Sequence, residues 1–410
     1  MILQLPQDVR LILNAFSQSG FAAYVVGGCV RDSLRGVSAQ DWDICTAATP
    51  AEMRRVFADE TLVSTGETHG TLTLVRHAIP YEITTFRADG TYLDARHPSS
   101  VRFGVSLAED LARRDFTVNA MAYAPKTGLV DLYGGQADLQ ANCLRCVGDA
   151  QVRFAEDALR ILRAARFAAT LCFVIEPKTA QAALQAAPQL SHVAAERVGA
   201  EMKKLLCGKN AGAVLMQYKP LFEVLFAKNL NENTHEFEMA AQAISAAPPR
   251  LCVRLALLCT AVGTKALCAL RLDGKTVRQT TMIAENLHTE FAATKFAART
   301  AMSVYGAQLP QILQAQTALA IACHDGNKQE KINAFSQLVR EQTAANASVT
   351  QAQLCVSGAD ALAQGVRGRA VGLALQAALQ TVLHDETQNT RAALLPLLAG
   401  FATLEKQDEK

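Results

Sequence analysis

Two carboxylates stand out for chemistry: Asp41 and Asp43, separated only by Trp42. On a strand this spacing puts both acids on one face and Trp42 on the other. Neighbouring carboxylates repel unless a cation lies between them. Mg²⁺ is the natural partner, being hard, oxygen-seeking and suited to substrate phosphates. Shortly upstream runs Tyr24-Val25-Val26-Gly27-Gly28-Cys29-Val30-Arg31-Asp32. Its apolar start reads as a buried strand. Gly27-Gly28 breaks that strand and lets backbone approach a ligand closely. A short helix opening there offers free N–H groups to an anion such as a phosphate, with the positive charge of Arg31 beside them. Taken alone, a Gly-Gly pair is an ordinary turn and Asp-x-Asp an ordinary solvated strand end. In this order they describe nucleotidyl transfer from a nucleoside triphosphate. One metal ion would activate the attacking hydroxyl and a second would stabilise the departing pyrophosphate.

The elements that must position these groups follow from the pattern. Leu5, Val9, Ile12, Leu13 and Phe16 recur at helical spacing, which predicts a helix over 3–19 closed by Gly20. Thr49 caps a helix over 50–57. The β-formers of 70–75 and 81–86, separated by a turn at Pro80, are expected to join the earlier strands in one sheet. Glu82 there is either a third carboxylate of the metal site or an ordinary polar residue on a solvated face. Polar 87–103 reads as a loop. Arg113 and Arg114 can neutralise triphosphate charge; the alternative is a surface arginine paired with Asp110 or Asp115. Ala-rich 154–170, free of glycine and proline, predicts one helix on which Asp157, Arg160 and Arg163 form a polar stripe. Cytosine and adenine both present an amino donor next to a ring-nitrogen acceptor. Asp157 with Arg160 offers the complement, whereas uracil and guanine would set acceptor against acceptor. That pair therefore selects CTP and ATP without a template, unless it is only a surface ion pair at i,i+3.

The order Gly27-Gly28-x-Val30-Arg31-Asp32, then Asp41-x-Asp43, resembles the class II tRNA nucleotidyltransferases and bacterial poly(A) polymerases of the polymerase-β-like superfamily. Arg113-Arg114-Asp115-Phe116-Thr117-Val118-Asn119-Ala120-Met121 matches a second motif of that family. Asp131-Leu132-Tyr133-Gly134-Gly135 matches a third, and 156–167 its base-reading motif. Ala195 to Glu201 resembles a fifth motif, a helix that braces the base reader through structural charges. The resemblance implies Mg²⁺ on Asp41 and Asp43 and a triphosphate cradled by Gly28, Arg31 and Arg114. It implies base reading by Asp157 and Arg160, with further nucleotide contacts from Arg163 and Arg166, the latter drifting toward the apolar edge. Gly90, Tyr92, Asp94, Arg96 and Pro98 resemble the family's flexible loop, needed for a final adenosine. Gly66-Glu-Thr-His-Gly70 stands where poly(A) polymerases carry a basic Gly-Arg-Arg-Phe-type stretch. The activity implied is addition of C, C and A from CTP and ATP to the tRNA 3′ end with release of pyrophosphate. A partial CC- or A-adding enzyme, a poly(A) polymerase and a non-catalytic RNA-binding protein are the alternatives.

The expected fold is α+β. A polymerase-β-like nucleotidyltransferase head with a mixed sheet (1–140) precedes an all-α neck (141–205), body (206–290) and tail (291–410). At 410 residues the chain is too long for one ordinary core. No signal-peptide pattern opens it, no apolar run is long enough to span a membrane, and no motif implies a protein partner. Eleven scattered cysteines make no disulfide framework and suit a reducing cytoplasm; Cys143-x-x-Cys146 lacks the second pair a zinc site needs. With a net charge of only +2, RNA binding requires cations gathered on one face, and between Lys265 and Lys295 the basic Arg271, Lys275 and Arg278 are candidates or a merely solvated face. His324-Asp325 and His384-Asp385 match fragments of a phosphohydrolase signature without its other histidines, and are read as chance.

Overall fold

The structure, a computed structural model, describes residues 2–39, 41–90, 101–226 and 234–403. The chain divides into two compact units, Met1–Lys228 with Ala269–Arg271, and Asn229–Cys268 with Leu272–Lys410.

The first unit opens with α1 (Gln7–Gln18). It begins at Gln7 rather than Leu3 because Pro6 takes the N-cap with extended backbone and disfavours helix in the residue before it. Leu3 and Leu5 are buried nonetheless. In chain order follow β1 (Ala23–Val26), α2 (Gly28–Leu34), β2 (Ile44–Thr46), α3 (Pro50–Val56), β3 (Thr61–Gly66), β4 (Thr71–Arg76), β5 (Ile79–Thr85), β6 (Arg87–Asp89), β7 (Val101–Phe103), α4 (Leu107–Ala112), β8 (Met121–Ala124) and β9 (Gly128–Asp131). Seven strands form one sheet in the order β3-β4-β5-β2-β1-β8-β9. β2 and β5 run parallel and the remaining pairs antiparallel, so the sheet is mixed. Val9, Ile12, Leu13 and Phe16 of α1 pack with Val25, Ile44, Leu72, Leu74 and Ile83 into the core on one face. Val26, Cys45, Phe86, Leu111 and Ala122 form a smaller cluster. α3 carries the expected cap: Thr49 and Glu52 form a reciprocal capping box ahead of Pro50.

Two local expectations are corrected. The β4–β5 hairpin turns at His77-Ala78, both at positive φ (48° and 62°), the conformation a two-residue hairpin loop requires. Pro80 instead lies inside β5 opposite Val75. The 87–103 segment is not all loop, since β6 and β7 pair antiparallel at its ends. Tyr92, Asp94, Arg96 and Pro98 fall outside the described residues.

Next come α5 (Gly135–Gln140), β10 (Cys143–Leu144), α6 (Ala150–Glu156), α7 (Leu159–Leu171), β11 (Val174–Ile175), α8 (Pro177–Ala186), α9 (Ala195–Leu206), α10 (Ala211–Gln217) and α11 (Lys219–Phe226). β10 and β11 pair in parallel, so the expected neck is not purely helical. The single helix expected over 154–170 is two helices. Asp157 separates them with extended backbone (φ −145°, ψ 103°), and its carboxylate accepts from the Leu159 N–H at 3.1 Å. Aspartate competes with the helix for backbone N–H groups and so favours helix starts over interiors.

The second unit is helical, from Thr234–Ala246 to Arg391–Ala399, with no strand among its described residues. One of its cores stacks Phe291 on Phe335 at 4.6 Å; another gathers Val356, Ala374, Leu383 and Leu394. Asp325 caps the helix Gly326–Ala344 through the Lys328 N–H, and Asp385 accepts from the Thr387 N–H. Both His-Asp pairs thus serve helix starts. All eleven cysteines are free. Among the described residues no helix is long and apolar enough to cross a membrane.

Candidate active site

The turn after β1 takes the conformation its glycines permit. Gly27 sits at φ 81°, in the region side-chain-bearing residues avoid. A Cβ there would lie 3.3 Å from Arg114 Nη1, so the missing side chain is what lets that guanidinium rest over the turn. α2 starts at Gly28, where a Cβ would face the Arg31 guanidinium at 3.6 Å. Arg31 is buried and bound on several sides: to Asp32 at 2.9 and 2.8 Å, to Asn119 Oδ1 at 2.6 Å, and over the Phe167 ring at 5.4 Å. Its charge is held in place rather than free to sweep.

Asp41 and Asp43 lie just before β2, not on it. The Val26 N–H donates to the Asp43 carbonyl at 3.0 Å, and exposure still alternates along 41–43. Both acids are exposed, while Trp42 packs against the α1 core. β5 carries Glu82 one residue before Ile83, which pairs with Ile44 in parallel register. The Asp43 carboxyl is pushed above its usual value. Although it still opens to solvent, the protein around it disfavours charge; next the Glu82 carboxylate repels it; Arg114 opposes the shift and Asp41 adds to it. These groups therefore share one electrostatic site. Among the described residues no three acidic, histidine or cysteine side chains converge closely enough to hold an ion by themselves. A repelling set of carboxylates with remaining positions open is nonetheless the oxygen donor set of a hard divalent cation that also takes phosphate ligands.

Arg114 Nη2 donates to the buried Asp110 at 3.1 Å, and its buried Nε has no partner among the described residues. An unsatisfied buried donor on a cation suits an anionic ligand. Asp110 also accepts from Arg113 at 2.9 Å and from the Arg87 N–H at 3.3 Å. Burial would raise its carboxyl, but Arg113 and Arg114 outweigh burial and hold it below the usual range.

The expected base readers are distributed otherwise than a continuous helix implies. Asp157, in the gap between α6 and α7, pairs with Arg197 of α9 at 2.8 and 3.2 Å. Arg160 is buried and donates to Glu156 at 2.6 Å and to the carbonyls of Arg153 and Arg113. Arg163 pairs with Asp115 at 2.9 and 2.5 Å. Burial pushes the Asp115 carboxyl up, but Arg163, Asn119 and the Phe116 N–H bring it down to about 2. Arg166 pairs with Glu201 at 2.8 Å and covers the Phe167 ring at 3.4 Å. Asp110, Asn119, Arg197 and Glu201 complete the arrangement without having been singled out as site residues. Their motifs were visible, but their partners are set by tertiary contact.

Residues 23–145 match the family described as Poly A polymerase head domain, and residues 172–232 match that described as Probable RNA and SrmB- binding site of polymerase A. A CCA-adding enzyme of Leuconostoc mesenteroides is 46% identical over 217 residues, 52% of this chain, and the chain spans only 54% of that relative's length. One from Lacticaseibacillus paracasei is 34% identical over 387 residues, 94% of this chain and 94% of its own. The crystal structure of the Bacillus stearothermophilus CCA-adding enzyme in complex with CTP is 32% identical, with a TM-score of 0.77 over 99% of this chain and 100% of that one. The Thermotoga maritima CCA-adding enzyme complexed with tRNA, at 22% identity, shares the fold with a TM-score of 0.68 over 97% of this chain and 96% of its own.

Proposed function

The chain belongs to the family of CCA-adding enzymes, and from that premise we propose that it adds cytidine, cytidine and adenosine to the tRNA 3′ end. CTP and ATP are the donors and pyrophosphate is released. The observation that carries the reading is the set of charges felt at Asp43: the carboxylates of Glu82 and Asp41 disfavour its charge and the Arg114 cation favours it. Carboxylates that repel one another favour a divalent cation, and a cation beside them favours a triphosphate, which supports this reading. Asp41 and Asp43 would hold Mg²⁺, which when bound supplies Lewis-acid stabilisation of the phosphates and the attacking hydroxyl.

The chain's own groups do the rest. Gly28 leaves the turn open to the triphosphate. Arg31, fixed by Asp32 and Asn119, and Arg114, steadied by Asp110 with its Nε donor open, neutralise its charge. The tRNA 3′ hydroxyl attacks the α-phosphate and pyrophosphate leaves. Asp157, in the gap before α7, and Arg160 meet the base edge, and Arg163 and Arg166 follow on α7 as further nucleotide contacts. One site serves both nucleotides because cytosine and adenine share an amino donor beside a ring-nitrogen acceptor.

The test uses a tRNA ending before its CCA, given labelled CTP and ATP separately and together. Three ordered additions that then stop are expected. A long adenosine tail would assign a poly(A) polymerase, and cytidine or adenosine alone a partial enzyme.

A further inference from the structure

We propose that Phe167 is the positioning residue for the cations of the nucleotide seat: its one buried ring sets where Arg31, Arg163 and Arg166 point. This rests on those three arginines being nucleotide contacts.

Arg31 lies on α2, and Arg163 and Arg166 on α7, so no single helix fixes the spacing of all three. One ring does. The guanidinium carbons of Arg166, Arg31 and Arg163 lie 3.4, 5.4 and 5.6 Å from the centre of the Phe167 ring, within reach of its negative face. Phe167 is buried, and Phe116 meets it edge to face at 5.7 Å, which fixes the attitude of the ring. Hydrogen bonds join two of the cations alongside it. Arg31 donates to Asn119, Asn119 to Asp115, and Arg163 to Asp115 as well.

Like charges this close repel. The Arg166 guanidinium is held below its ordinary value, by burial first; Glu201 opposes this and Arg163 adds to it. Each cation also has a carboxylate: Asp32 for Arg31, Asp115 for Arg163 and Glu201 for Arg166. The last lies on α9, packed so closely that a Cβ on Gly199 would collide with the Leu270 carbonyl oxygen. A carboxylate orients a guanidinium but cancels its charge. An aromatic face orients it and has no net charge to cancel it with. The ring therefore holds these donors in place and leaves their charge for phosphate.

The experiment replaces Phe167 with 4-fluoro-, 3,5-difluoro- and 3,4,5-trifluorophenylalanine, which drain the ring face of negative potential at nearly constant shape. Dissociation constants for CTP and for ATP are measured without tRNA, with a melting midpoint for each protein. Both nucleotides should weaken stepwise and together, reaching about three- to thirtyfold at the third fluorine, the range of a desolvated cation–ring contact. The melting midpoint should stay near that of the wild type. Arg31→Met, Arg163→Met and Arg166→Met are measured alongside. If they weaken CTP binding and the fluorinated series does not, weakens one nucleotide only, or merely melts earlier, the inference is overturned while the nucleotide contacts stand. If none of the three weakens CTP binding, the contacts fall and this inference falls with them.

Discussion

At the scale of single residues, Asp43 and Asp115 show the same group put to opposite uses. Asp43 is kept at a cost: the protein around it, then Glu82 and Asp41, disfavour its charge. A carboxyl raised above its unfolded value stabilises the fold fully below that unfolded value, and the benefit is lost as pH rises through the raised one. Asp43→Asn should therefore raise the melting midpoint of the metal-free protein slightly at neutral pH. The same change should lower nucleotide addition by about a thousandfold or more, as for loss of a group serving transition-state charge. A calorimetric scan and a primer-extension assay measure the two effects. Asp115, lowered to about 2, behaves in reverse. Its contribution is present above the unfolded value and disappears as pH falls toward 2. Asp115→Ala should destabilise the protein by about 2–3 kcal/mol, because several charge-assisted bonds are removed and a buried N–H is left open. Denaturant midpoints at pH 7 should show this, with the difference from wild type shrinking as acid protonates the carboxylate.

At the scale of elements, packing decides what periodicity could not. β1, β4 and β5 were legible from their β-formers, and α3 from Thr49 and Pro50, because those signals act over a few residues, whereas β3, β8 and β9 of the same sheet were not expected. The glycine turn and Asp41-x-Asp43 were legible as chemistry for the same reason. The division of 154–170 was not, since nothing but an aspartate marks it and helix propensity favoured continuity. Nor was the Asp157 partner legible, because Arg197 is 40 residues away and a local i,i+3 spacing pointed to Arg160 instead. The β10–β11 pairing was too short to leave a pattern. The close approach of α9 gives a further test. Gly199→Ala forces α9 or the Leu270 carbonyl to move, which should cost about 1–3 kcal/mol of stability, as overpacking does. Urea unfolding of the variant measures it, and a cost near zero would mean that α9 is not fixed as described.

At the scale of the whole molecule, net charge offers little general attraction to RNA, at +2 over 410 residues. Under the proposed function, affinity for tRNA must come from local clusters. Lys275 and Arg278 are exposed on the helix Gly274–Glu285 of the second unit. Reversing both to Glu should weaken tRNA binding and flatten its salt dependence by about one unit of slope for each phosphate left without its cation. CTP affinity, measured by itself, should not change. The link from α9 to the gap before α7 has a different kind of consequence. A templated polymerase receives its instruction from outside at every step, whereas under the proposed function the instruction is built into a fold and shares that fold's vulnerability. Arg197 reaches Asp157 from another helix, so warming or mild denaturant that loosens α9 should let wrong letters through while the carboxylates still turn over. Accuracy, on this account, fails before speed.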